Sequence, residues 1–189
     1  RLCGEIVYFY PNWFRQAVAA LSQTFEDKKI YPDLTNEILA TAQHLLERDE
    51  TEEAFKVLNL SIELYPLSPA PFGHLAAAHI WTGDFVKARD LFRKAFAKNP
   101  FHSSISINAF ENFVLKLQSA KKIDEIFALA EIMAELRPKH ANLHRTIGTM
   151  YHQVGKIDKA IEYYQKALRL NPKFKDVREK LEKLKKERN

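Results

Sequence analysis

The chain has 189 residues, 46% of them hydrophobic, and a single cysteine, Cys3. A packed core is therefore within reach, and an internal disulfide is excluded. The formal charge of +5 sits mainly in residues 172–189, where eight Lys/Arg face four Asp/Glu; this is the mark of a solvated helix face, not the broad basic stripe of a nucleic-acid binder. No apolar run approaches a membrane-crossing length of about 18 residues. The first residue is Arg rather than Met and no signal-peptide pattern follows it, so the expectation is a piece of a longer protein of unassigned compartment.

In chain order, GEIVYFYP (4–11) is β-branched and aromatic and reads as a strand-like segment. Asn12 then caps an amphipathic run, WFRQAVAALSQTF, with Trp13, Ala17, Leu21 and Phe25 on one side. Residues 1–32 are thus expected to be a non-repeat segment, either the tail of an upstream domain or a half repeat. Beyond them, Pro32, Pro66, Pro100, Pro138 and Pro172 recur at intervals of 34, 34, 38 and 34. A fixed period of that length marks a helical repeat.

With Pro172 as position 32, the last unit places Ile147 at position 7, Gly148 at 8, Tyr151 at 11, Ala160 at 20, Tyr164 at 24 and Ala167 at 27. His144 stands at position 4, where an aromatic is usual. Small residues at 8, 20 and 27 let two antiparallel helices approach, and larger neighbours fill the space beside them. Gly155 suits the turn between them, and the proline closes the second helix. The unit ending at Pro100 reads Phe72, Leu75, Ala76, His79, Ala88, Phe92 and Ala95, with Gly83 in the turn. The unit ending at Pro66 keeps the register with Ile38, Thr41, Ala42, Leu45, Ala54, Leu58 and Ser61. The unit ending at Pro138 reverses large and small, as Phe113-Val114 and Ile126-Ala130 show. This pattern resembles the tetratricopeptide repeat. It implies an all-α solenoid over residues 33–172, with repeats at about 35–68, 69–102, 107–140 and 141–174.

The 38-residue interval adds four residues around FHSSIS (101–106). That is close to one helical turn, so a first helix lengthened by a turn and capped by Ser103 or Ser104 is expected, with a longer loop as the alternative. Residues 173–189 place Phe174, Val177, Leu181 and Leu184 on one stripe. Such a helix can cap the open end of a repeat array.

A second likeness joins residues 20–85, above all EEAFKVLNLSIELYPLSP, to the carboxy-terminal repeat region of some bacterial serine hydrolases. It implies an accessory or dimerisation arm whose chemistry lies upstream of residue 1. This chain has no G-x-S-x-G elbow and no S-x-x-K.

No catalytic, cofactor or metal site is expected within the chain. His140 and His144 could share a helix face, but no third ligand is evident, and His74 and His79 face different sides of theirs. The acidic pairs Glu52-Glu53 and Asp124-Glu125 begin helices, where they favour the dipole.

Binding is the expected function, because a repeat array presents a groove lined by first helices. The candidate peptide groove comprises Gly73, His74, Ala77, Ile80, Trp81, Asn108, Asn112, Leu115, Asn142 and Arg145, with Leu39 and Gln43 from the first repeat. Gly73 and Ala77 should form a recess, Ile80 and Trp81 an apolar wall, and His74 and Asn112 should hold a ligand's backbone. The positions that form a cationic carboxylate clamp in chaperone-binding relatives lack the cations, so that ligand is not expected. The expected partner is a protein or peptide with a hydrophobic anchor, or a second copy offering residues 4–11.

Overall fold

A computed structural model describes residues 35–188, so the expectations for residues 1–32 lie outside the described residues. The described residues form nine α-helices and no strand. In chain order these are α1 (Thr35–Glu47), α2 (Thr51–Leu64), α3 (Ala70–Trp81), α4 (Phe85–Lys98), α5 (Ile107–Ser119), α6 (Ile123–Leu136), α7 (Ala141–Gln153), α8 (Ile157–Leu170) and α9 (Lys175–Arg188). The fold is the all-α helical repeat that the prolines measure out. Every second helix, α2, α4, α6 and α8, ends two residues before its proline, as expected of a residue that cannot continue a helix.

The turns are more regular than their sequences. The residue at position 15 is left-handed in all four units: Asp49 (φ 61°), Gly83 (82°), Lys121 (57°) and Gly155 (72°). Each closes its first helix with the same two bonds. The left-handed residue donates to the carbonyl three back, and the next N–H donates to the carbonyl five back. Asp49 thus bonds Leu46 and Glu50 bonds Leu45, while Lys121 bonds Gln118 and Lys122 bonds Leu117. Gly83 and Gly155 repeat the pattern on Ile80 and His152, followed by Asp84 on His79 and Lys156 on Tyr151. This is the Schellman closure of a helix end. Glycine meets it without strain, whereas Asp49 and Lys121 carry a Cβ into it.

The chain divides into two compact units, one up to Glu125 and one from Ile126. In the first, α1 packs on α2 and α3 on α4, and α3 also packs against α1 and α2. Their shared core includes Ile38, Ala42, Leu45, Ala54, Val57, Leu58 and Leu75.

The insertion at 101–106 differs from the expected longer helix. Ser103–Ile105 form a single 3-10 turn, and α5 begins only at Ile107, capped by Ser106, whose hydroxyl accepts from the Ala109 N–H at 3.1 Å. Side-chain chemistry fixes the break. His102 Nδ1 accepts from the Ser104 N–H at 3.2 Å and lies 2.9 Å from the Ser104 hydroxyl. Ile105, 2% exposed, is driven down beside Gly73. Two local caps and one buried side chain outweigh the extra helical turn.

In the second unit, α7 packs on α8 and α8 on α9. Gly148 touches the face of Tyr164, which is wholly buried. A ladder of flat rings runs from Phe127 to Tyr151 (4.5 Å), to Tyr163 (5.6 Å) and to His144 (5.9 Å). His144 takes the aromatic position as one more ring, with Nε2 2.9 Å from the Pro138 carbonyl. On α9, Val177, Leu181 and Leu184 are buried, as their stripe requires.

Candidate peptide-binding site

The first helices of the first unit, α1, α3 and α5, line a shallow cleft. Ala77 and Ala78 on α3 are small and leave the recess. Leu39 and Leu46 of α1, Trp81 of α3 and Phe113 of α5 supply apolar walls. Polar groups stand at its margins: Gln43, Glu47, His74 and Lys116. Trp81 is half-buried, its inner edge packed on the core. The Lys122 ammonium lies 5.3 Å from its ring centroid and is itself paired with Glu125 at 3.2 Å. The Lys116 ammonium reaches Gln43 Oε1 at 3.1 Å, linking α5 to α1.

His74 is the unusual polar group. Its Nδ1 is buried and has no hydrogen-bond partner among the described residues. Burial, helped by the nearby His102, pulls its pKa down to about 4, so the ring is neutral at pH 7. A neutral imidazole can donate or accept without the desolvation cost of a charge.

His74, Ala77 and Trp81 line the cleft together, with Leu39 and Gln43 opposite. Two expected members do not. Ile80 is 0% exposed and belongs to the core, not to a wall. It follows from the composition of α3, APFGHLAAAHIW, which is apolar nearly all round and is packed by helices on more than one side. Gly73 is also buried, its recess filled by Ile105 and Ser104 of the 3-10 turn.

The α5 candidates are displaced for a different reason. Asn108, Asn112 and Leu115 are exposed, Leu115 by 61%, and the cleft is lined instead by Phe113 and Lys116. On α5, Phe110, Val114 and Leu117 are buried as their repeat positions require, while Phe113, large and at the position that Leu75 holds in α3, lines the cleft. Phe113-Val114 carried that signal in the sequence, since two large residues cannot both take the close-packed positions.

Asn142 and Arg145 belong to the second unit. Asn142 is exposed. Arg145 is occupied within that unit, 5.1 Å from the Phe174 ring and 3.8 Å from Asp176.

The histidine pair on α7 is structural. His140 caps the helix by accepting from the Leu143 N–H at 3.1 Å, while His144 is buried in the ring ladder. No group of three or more His, Cys, Asp or Glu side chains with metal-site geometry occurs among the described residues. No described helix is long and apolar enough to cross a membrane.

The tetratricopeptide-repeat family model matches residues 141–174, the α7–α8 hairpin. The Protein CTR9 homolog of Arabidopsis thaliana is 28% identical over 169 residues, covering 84% of this chain and 15% of that protein. Protein O-mannosyl-transferase TMTC1 of Homo sapiens is 28% identical over 146 residues, covering 77% of this chain and 17% of that protein. The chain therefore spans less than a fifth of the length of these curated relatives. Among solved structures, MamA (41-end) from Desulfovibrio magneticus RS-1 is 22% identical over 84% of this chain and 88% of its own, with a TM-score of 0.43. The likeness of residues 20–85 to serine hydrolases, and the accessory-arm reading that rests on it, find no support in these matches. Residues 141–174 thus match a tetratricopeptide repeat, and the three hairpins before them close their first helices with the same turn.

Proposed function

We propose that the chain is a binding scaffold whose α1–α3–α5 cleft takes an apolar side chain from a protein partner. One observation carries this reading: Trp81 stands half-exposed beside Ala77 and Ala78, in a cleft walled by Leu39, Leu46 and Phe113. An aromatic beside a recess is the usual anchor of such interfaces. His74 supplies a neutral polar contact for the ligand's backbone. The chain is read as carrying no catalysis of its own: His144 and Tyr151 are bound into the ring ladder, and the transferase named in TMTC1 belongs to a protein of which this chain matches 17%.

The test pairs a subtractive with a space-filling variant. Trp81→Ala and Ala77→Leu should each weaken binding of a hydrophobic-anchor peptide library by about tenfold or more, the equivalent of ~1.4 kcal/mol. Ala77→Leu removes no core contact, so it separates recognition from folding. Unchanged binding by Ala77→Leu would move the recognition surface elsewhere. Loss of self-association in these variants, with no peptide bound, would identify a second copy as the occupant.

A further inference from the structure

A second, open cleft lies between the second helices α2 and α4. Its floor is Phe55, Leu75 and Leu91, with the His79 ring stacked on Phe55 at a centroid distance of 4.5 Å. None of these residues lines the α1–α3–α5 cleft. On α4, Lys87, Leu91 and Lys94 lie at i, i+4 and i+7, one stripe along this cleft. The helix carries five cations, Lys87, Arg89, Arg93, Lys94 and Lys98, against Asp90, a net +4. The facing helix α2 carries Glu52, Glu53 and Glu63 against Lys56, a net −2. Of these charges only Lys87, Lys94 and Asp90 line the cleft, all of them on α4.

We propose that this cleft docks an acidic amphipathic helix from a partner protein. Charge and spacing define the occupant. Lys87 and Lys94 are separated by about 10 Å along the helix axis, two turns at 1.5 Å per residue. A docked helix with carboxylates at i and i+7 and apolar residues at i+3 and i+4 repeats that spacing. Its apolar residues meet Leu91 and Phe55, and its acids meet the two ammonium groups. Lys87 is now paired with Asp84 at 2.9 Å, an exposed contact of small net value that a ligand acid can share. Asp90 lies between the two lysines in sequence and lines the cleft, so it opposes such a ligand. Its own pairing with Arg93, at 3.8 Å, is loose.

The experiment uses the full chain and two fluorescein-labelled helical peptides of identical length. One carries Glu at i and i+7 around a Leu-Leu pair, and the other carries Lys at the same places. Anisotropy at low salt should show the Glu peptide binding at least tenfold more tightly than the Lys peptide. Lys87→Glu/Lys94→Glu should abolish that preference, and Asp90→Lys should tighten Glu-peptide binding several-fold. Trp81→Ala should leave it unchanged, which separates this surface from the first cleft. Because Asp90→Lys is a gain of binding, misfolding cannot imitate it. Equal binding of both peptides, no gain in Asp90→Lys, or loss in Trp81→Ala would overturn the proposal.

Discussion

Lys116 Nζ donates to Gln43 Oε1 at 3.1 Å, joining α5 to α1 across two repeats of the chain. Both residues line the cleft at Ala77 and Trp81, so the bond closes over part of the proposed binding site. An exposed bond of this kind contributes about 0.5–1 kcal/mol. Lys116→Met should therefore raise affinity for an apolar-anchor peptide by about threefold, with the melting temperature nearly unchanged. Titration calorimetry reads this directly. A clear fall in affinity would make Lys116 a ligand contact instead of a strap.

The position-15 turns separate backbone cost from side-chain packing. Lys121 holds φ 57° and Asp49 holds φ 61°, where a Cβ costs about 1–2 kcal/mol. Replacement by glycine removes that strain but increases the entropy of the unfolded chain, leaving a net gain of about 0.5–1 kcal/mol. Lys121→Gly should gain more than Asp49→Gly, because aspartate tolerates the left-handed region better. Gly83→Ala should lose about 1 kcal/mol, although nothing lies within 4 Å of the added Cβ. Chemical denaturation of the set would show these signs, and a stabilised Gly83→Ala would contradict the account.

Gly148 and Gly73 should respond differently to alanine. A Cβ on Gly148 would stand 2.6 Å from Cδ1 of Tyr164, a fully buried ring whose hydroxyl donates to Thr149 Oγ1 at 3.2 Å. Overpacking there should cost about 2 kcal/mol net, beyond the ~1 kcal/mol that alanine gains in helix propensity. On Gly73 the added atom would meet Ile105 and Ser104 at 3.1 Å, in a 3-10 turn able to give by a few tenths of an ångström. There the two effects should nearly cancel. Equal melting shifts for both variants would refute this ranking.

Acid should destabilise the first unit through His74. Its folded pKa of about 4 lies below the ordinary 6.5. Below pH 6.5 the unfolded chain binds a proton that the folded chain refuses, so stability falls with pH until about pH 4 and then levels off for this group. At ~1.4 kcal/mol per unit, the loss should total about 3 kcal/mol. Burial also lowers His79 and His144, which act in the same direction. Denaturant melts of the wild type and His74→Gln between pH 7.5 and 4 isolate the contribution. Parallel curves would sink it.

Residues whose side chains must fit were the legible ones. Pro66, Pro100, Pro138 and Pro172 located the helix ends, Gly148 and Ala160 the close approach, and His144 the ring position. Asp49 and Lys121 gave no signal, since their left-handed backbone is imposed by helix closure and not by residue type. Ile80 and Trp81 are adjacent and both apolar. Only the extra packing around α3 buries the one and leaves the other at the cleft. In 101–106, several polar side chains compete to cap, and the buried Ile105 decides among them.

The four extra residues after Pro100 are spent wholly between hairpins. The second helices therefore all keep 14 residues, and the first helices 12 or 13. Each hairpin is in this sense a cassette with standard ends, indifferent to the length of its neighbouring connector. Genetic exchange or deletion of a whole cassette at the proline borders could then redraw the recognition surfaces without rewriting the internal grammar of any hairpin.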